Sequence, residues 1–237
     1  SDDSGREAAI GLFRRRRLPR SVSHRRVLAN VAVVALLLTA GCIGFLTGEE
    51  ALAFDADTVR VADDARAEAG YEEVRVESMA VNRSFTVAGE TRNVSVTNHV
   101  AAYQRAVDLG PLGSEPFARF TVLSTPEVEI AGRTLNPVGG LSDRELATRL
   151  QSQYDSVENV RFAGNRTVEV LGEGRTVSRF DATTTVAGTE VDLALHVAKF
   201  RHGEDFVVAI GVYPARLDGE RARVETMLRG VEHETAG

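Results

Sequence analysis

Polar and apolar residues alternate along five stretches rich in valine and threonine: Arg92 to Tyr103, Phe117 to Ser124, Ser178 to Gly188, Glu190 to Phe200 and Asp205 to Tyr213. A period of two is the mark of a strand with one face buried, so each predicts a β-strand. The "AGT" at Ala187 and the "RHGED" at Arg201 fall between the last three and read as hairpin turns. Three other segments carry a helical pattern. An alanine-rich stretch from about Val59 to Ala69 stops at Gly70, a residue suited to a helix C-terminus. A second helix is predicted from Ser142, where Glu145 completes a capping box and Leu146, Leu150 and Tyr154 fall on one face. A third begins near Gly219 and aligns Val224, Met227, Leu228 and Val231.

Two of these regions repeat. Residues 71–95, "YEEVRVESMAVNRSFTVAGETRNVS", align without a gap on residues 154–178, "YDSVENVRFAGNRTVEVLGEGRTVS", at an offset of 83. The shared core N-R-[ST]-x-x-V-x-G-E-x-R-x-V-S predicts an internal duplication. Each half then reads as a strand, a helix and then antiparallel strands. The expected fold is α+β, a mostly antiparallel sheet with helices packed on one face. Breaks at "GPLGSEP", Gly110 to Pro116, and "NPVGG", Asn136 to Gly140, suggest a first repeat over 55–135 and a second over 136–237.

Ahead of this body lies a basic run, an apolar core from Val27 to Ala40, and small residues before Cys42. These are the parts of an export signal, covering 1–41, and the apolar core is shorter than the roughly 20 residues a membrane span needs. The sequence "LTAGC" (Leu38, Thr39, Ala40, Gly41, Cys42) resembles the lipobox of secreted lipoproteins. There the cysteine becomes the N-terminus and takes lipid on its sulfur. Residues 42–54 would then be a lipid-anchored linker. The alternative is an uncleaved span from Val27 to Leu46; either way the arginines stay inside and the body outside. "HRRVLA", with Arg25 and Arg26, is similar to a twin-arginine export signal, which leaves general and twin-arginine export both open.

Charge sharpens this picture. Residues 1–41 hold eight arginines and three acids, a net of +5 against −6 for the whole chain, so the remainder carries −11. Such a body has no clustered basic face for phosphates, which excludes nucleic acid as a partner. Lys199 is the sole lysine beside 27 arginines, and tryptophan is absent. Acidity with arginine in place of lysine points to a salt-loving archaeon, because molar salt screens repulsion between surface acids to about 3 Å. A single cysteine excludes an internal disulfide.

Chemistry is sparse. No serine sits in a nucleophile elbow, and "GEGRTVS", Gly172 to Ser178, lacks the lysine and following helix of a phosphate loop and reads as a tight turn. His99 and His196 share an H-V-A tripeptide that pseudo-symmetry would bring together, but with no ligand cluster beside them they read as solvent-facing or hydrogen-bonded strand histidines; His202 falls in a turn and His233 in a frayed tail. No local ligand cluster predicts a metal, so no metal, cofactor or catalytic residue is assigned. Sequons at Asn82, Asn93 and Asn165 are possible N-glycosylation sites, and Asn82 and Asn165 are equivalent positions read as turns.

Across nearly its whole length the chain resembles a haloarchaeal lipoprotein family, domain of unknown function 6517. The residues that carry the likeness are "TAGC" at 39–42, "GYEEVRV" at 70–76 and "RSFTVAGETRNVSVTN" at 83–98. The resemblance implies an exported, membrane-anchored protein and supplies no activity. In element order the second half looks like the PsbP-like fold. The function these readings predict is a binding or interaction module of the cell envelope, meeting an envelope protein or a small solute; an envelope hydrolase using surface carboxylates and a purely structural surface protein are the alternatives.

Overall fold

A computed structural model of the chain describes residues 52–234 apart from 88–89, 109, 111–113, 131–132, 135 and 154–156. The elements in chain order are β1 (Leu52–Asp55), β2 (Thr58–Val61), α1 (Asp63–Ala69), β3 (Glu72–Val87), β4 (Glu90–Asp108), β5 (Ser114–Pro126), β6 (Glu129–Ile130), β7 (Arg133–Thr134), α2 (Asp143–Gln153), β8 (Val157–Val170), β9 (Glu173–Val186), β10 (Thr189–His202), β11 (Asp205–Pro214), α3 (Glu220–Arg229) and β12 (Val231–Glu234). Among the described residues, eight strands make one sheet. Its path is β3-β4-β5-β11-β10-β9-β8, antiparallel throughout, and short β1 runs parallel to β4 beside the end of β5. The pairing of β5 with β11, from Asp205↔Pro126 to Val212↔Arg119, joins both halves of the sequence into this one sheet.

The hairpins follow from local chemistry. Leu171 and Gly172, and again Ala187 and Gly188, take positive φ between strands, the two-residue turn whose twist matches that of the flanking strands. The capping box forms as its spacing predicts: Ser142 Oγ and N both reach a Glu145 carboxylate oxygen at 2.7 Å, and Glu145 N donates back to Ser142 Oγ at 3.2 Å.

The helices do not share one face, which corrects the expected packing. Along β10, Ala194, Ala198 and Phe200 join a core with Val224, Met227 and Leu228 of α3 and Ala69 of α1. The alternate residues Leu193, Leu195 and Val197 join a second core with Leu146 and Ala147 of α2. A strand presents successive side chains to opposite faces, so α1 and α3 cover one face and α2 the other. The small sheet β2-β12 lies with α1 and α3, where Val59, Val61 and Val231 are buried.

Two other expectations shift at the N-terminal edge. Leu52–Asp55, read as linker, forms β1. Val59 to Val61, read as the start of a helix, forms β2, because burying both valines at a spacing of two requires extended backbone. Helix α1 starts at Asp63 and ends where Gly70 turns left-handed at φ 70°.

The segment before α2 is fixed by Lys199. Its Nζ donates to the carbonyl oxygens of Val138 (3.2 Å), Gly139 (3.0 Å) and Leu141, and lies 5.7 Å from the centre of the Phe206 ring. A side chain on Gly139 would meet that ring at 2.8 Å, so glycine permits the approach.

Candidate functional site

One end of the face covered by α1 and α3 is polar. Asp205 opens β11, Ser124 lies on β5, His202 ends β10, His233 sits in β12, and Asp57 lies in the link from β1 to β2. Asp205 Oδ2 accepts from Asp57 N at 2.7 Å, Ser124 Oγ at 3.1 Å and His233 Nε2 at 3.1 Å. His233 Nε2 also lies 2.9 Å from Ser124 Oγ, and His233 Nδ1 lies 2.8 Å from Nδ1 of His202. Ser124, Asp205 and His233 are buried. Burial raises the Asp205 carboxyl, but the hydrogen bonds from His233, Asp57 and Ser124 outweigh it and hold the group below its ordinary range. Burial also lowers His202, and His233 and Arg175 add to that shift.

Serine, histidine and aspartate occur together here, yet they are not arranged for acyl transfer. A nucleophile triad places serine and carboxylate on different imidazole nitrogens; here Nε2 of His233 faces both. Ser124 is also fully buried. What the cluster does offer is converging ligands: one ligand atom each from Asp57, Asp205 and His233 lie within 4.8 Å of one another.

Neither His202 nor His233 was singled out by the sequence, which read them as turn and tail. The available signal is the "VEHE" alternation of β12, in which Val231 and His233 are buried and so point inward together. His196 and His99, weighed as a pseudo-symmetric pair but read by preference as separate strand histidines, are not brought together. Both are on the same face, but His196 is on β10 and His99 on β4, three strand spacings of about 4.8 Å apart. His99 instead stands opposite Ser124 in the β4–β5 register. His196 is buried in a network of its own. Arg166 Nη1 donates to its Nδ1 at 2.9 Å, which leaves Nε2–H to donate to Tyr213 Oη at 2.9 Å. Burial, with Arg166, Arg179 and Arg221 nearby, pushes its pKa down to about 3, so the ring is neutral.

A second buried network anchors α3. Glu220 is fully buried; it pairs with Arg105, lies 3.4 Å from Arg223 Nε, and accepts from Tyr71 Oη at 3.3 Å. Burial and the adjacent Glu220 carboxylate raise the Tyr71 phenol far above its ordinary range.

The opposite functional prospect is the outer edge strand. From Glu72 to Ser84 every residue of β3 is exposed, and among the described residues β3 pairs only with β4. Among the described residues, Val74 (53%), Val76 (51%), Met79 (42%) and Val81 (39%) are, with Phe162, the exposed large apolar ones. Asn82 lies in the middle of this strand, Asn93 opposite Ser84 and Asn165 in the middle of β8. All three are exposed, but on strands, which corrects the turn reading of Asn82 and Asn165. Cys42, the lipobox residues Leu38, Thr39, Ala40 and Gly41, and Arg25 and Arg26 lie outside the described residues. No helix among the described residues is long and apolar enough to cross a membrane.

With this geometry in place, a family model described as "Domain of unknown function (DUF6517)" matches residues 58–232. The chain belongs to this family. The match begins at β2 and ends in β12, so it takes in the sheet apart from β1, the three described helices and the polar cluster except Asp57 and His233, which fall one residue outside it. No curated protein matches the chain in sequence. Among solved structures it is similar to cyanobacterial PsbP (CyanoP) from Synechocystis sp. PCC 6803, at 10% identity and a TM-score of 0.34 over 76% of this chain and 94% of that one. It is also similar to the immunity protein TplEi of a type VI secretion system from Pseudomonas aeruginosa, solved with a peptide, at 12% identity and a TM-score of 0.29 over 71% and 59%. Likeness at this level says nothing about what this member of the family binds.

Proposed function

We propose that this DUF6517 protein is an exported, lipid-anchored interaction module of a haloarchaeal cell envelope, and that it engages protein by strand addition at the outer edge of β3. The observation that carries the interface is that edge, extended and exposed on both faces, with Val74, Val76, Met79 and Val81 set among charged residues. An unpaired strand offers a ladder of backbone donors and acceptors, and its side chains select the partner. The partner that fits is a second copy. If two β3 strands pair antiparallel about Ala80, Met79 stands opposite Val81 and Glu77 opposite Arg83, each pair twice and on one face. Apolar and opposite-charge cross-strand pairs each add roughly 0.2–1 kcal/mol.

Sedimentation of the full chain in detergent should give a dimer. Glu77→Arg should shift it to monomer by opposing Arg83, and adding Arg83→Glu should restore the dimer. A monomer at every concentration overturns the interface; a dimer indifferent to Glu77→Arg overturns the register. The anchor is tested separately: Cys42→Ala should leave the protein unlipidated and released from membranes, and cleaved protein that stays membrane-bound would sink that reading.

Several features support a duplicated origin. The offset of 83 carries the β3–β4 hairpin onto β8–β9 and α1 onto α2. β3 and β8 run in the same direction at opposite edges. The rotation that exchanges two edges and keeps strand direction is a two-fold along the strands, and it also exchanges faces. Helices α1 and α2 on opposite faces fit that rotation.

A further inference from the structure

We propose that Asp57, Asp205 and His233 bind one divalent transition-metal cation, with His202 and Ser124 holding the ligands in place. One imidazole nitrogen and two carboxylates form a mixed donor set suited to a borderline ion such as Zn²⁺ or Co²⁺. Three protein ligands leave a position open for water or a further donor. Atoms about 2.1 Å from one ion lie at most about 4.2 Å apart. The three atoms here already lie within 4.8 Å of one another, so closure needs only small side-chain rotations.

The surrounding groups make this more than three residues that happen to be close. A metal-bound histidine carries its proton on the other nitrogen and donates it to a fixed acceptor. Coordination at Nε2 of His233 replaces the hydrogen bond from that nitrogen to Asp205 and leaves the ring proton on Nδ1, where His202 Nδ1 is 2.8 Å away to accept it. The Asp205 carboxylate is oriented by donors from Ser124 Oγ and Asp57 N. The ligands come from three places in the chain: the β1–β2 link, the start of β11 and the closing strand β12. A bound ion would tie both ends of the described body to the sheet.

The test uses the full chain without a histidine tag, in detergent and molar salt, titrated with Co²⁺ alone and with Zn²⁺ alone. One equivalent should bind, Co²⁺ should develop visible d–d absorption, and Zn²⁺ should raise the melting temperature. Asp57→Asn keeps the backbone donor to Asp205 and should weaken binding at least tenfold. His233→Gln should abolish the cobalt spectrum, and His202→Gln should weaken affinity about 10- to 100-fold. The proposal falls if neither ion binds stoichiometrically at millimolar concentration, or if Asp57→Asn and His233→Gln each leave binding unchanged.

Discussion

Replacing Glu220 by alanine should cost about 3–5 kcal/mol, because it removes one member of a buried ion pair and leaves the others uncompensated. Its carboxylate is fully buried and serves Arg105, Arg223 and Tyr71 at once. Without it the Tyr71 hydroxyl loses its acceptor in an apolar setting, and Arg105 loses its counter-charge while only partly exposed. The arginines can reach some water, which places the loss toward the lower end of that range. Chemical unfolding of the variant beside the parent at neutral pH measures it. The double variant with Arg105→Ala should be less damaging than the sum of the two singles, since the second change removes the orphaned charge. A loss under about 1 kcal/mol for Glu220→Ala would mean that the network contributes little and that α3 is held by Val224, Met227 and Leu228 alone.

Acid should weaken the fold through His196 before the carboxylates titrate. In the folded protein its pKa is about 3, whereas an unfolded histidine takes up its proton near 6.5. Above pH 6.5 the ring is neutral in both states and stability is unaffected by it. As pH falls below 6.5 the unfolded chain binds a proton that the folded chain refuses, so stability drops by up to about 1.4 kcal/mol per unit until pH nears 3. The whole window amounts to roughly 5 kcal/mol. His202, also lowered by burial, pushes the same way. The slope between pH 6.5 and 5 isolates these histidines from most acids. His196→Gln can still accept from Arg166 and donate to Tyr213 but cannot titrate, so it should flatten that slope. An unchanged slope would refute a neutral, buried His196.

Much of the sheet is legible because its central strands are buried on one or both faces and built from valine, threonine and alanine, whose alternation is a local signal. The capping box at Ser142 is equally local. What escapes the sequence is what depends on distant partners. Val59 and Val61 look helical beside an alanine-rich stretch, and only β12, some 170 residues on, makes them a strand. The assignment of helices to faces depends on which face of β10 each one meets. The polar cluster is the extreme case: Asp57 and Asp205 are 148 residues apart, and His202 and His233 are 31 apart. No spacing rule links them, so neither the turn histidine nor the tail histidine stands out until the chain folds. The motif N-R-[ST] is read as a turn because asparagine favours turns; in an edge hairpin both of its side-chain faces are open, and propensity gives way to pairing.

The cradle around Lys199 has a chemical consequence. Its ammonium is spent on three backbone carbonyls, and every other basic side chain beyond the signal region is a guanidinium or an imidazole. An acylating reagent that seeks side-chain amines therefore meets, in the folded body, a single target that is already engaged. Labelling at Lys199, read by peptide mapping apart from the α-amino terminus, is a clock for the opening of the segment at 138–141, one side-chain amine reporting one local event.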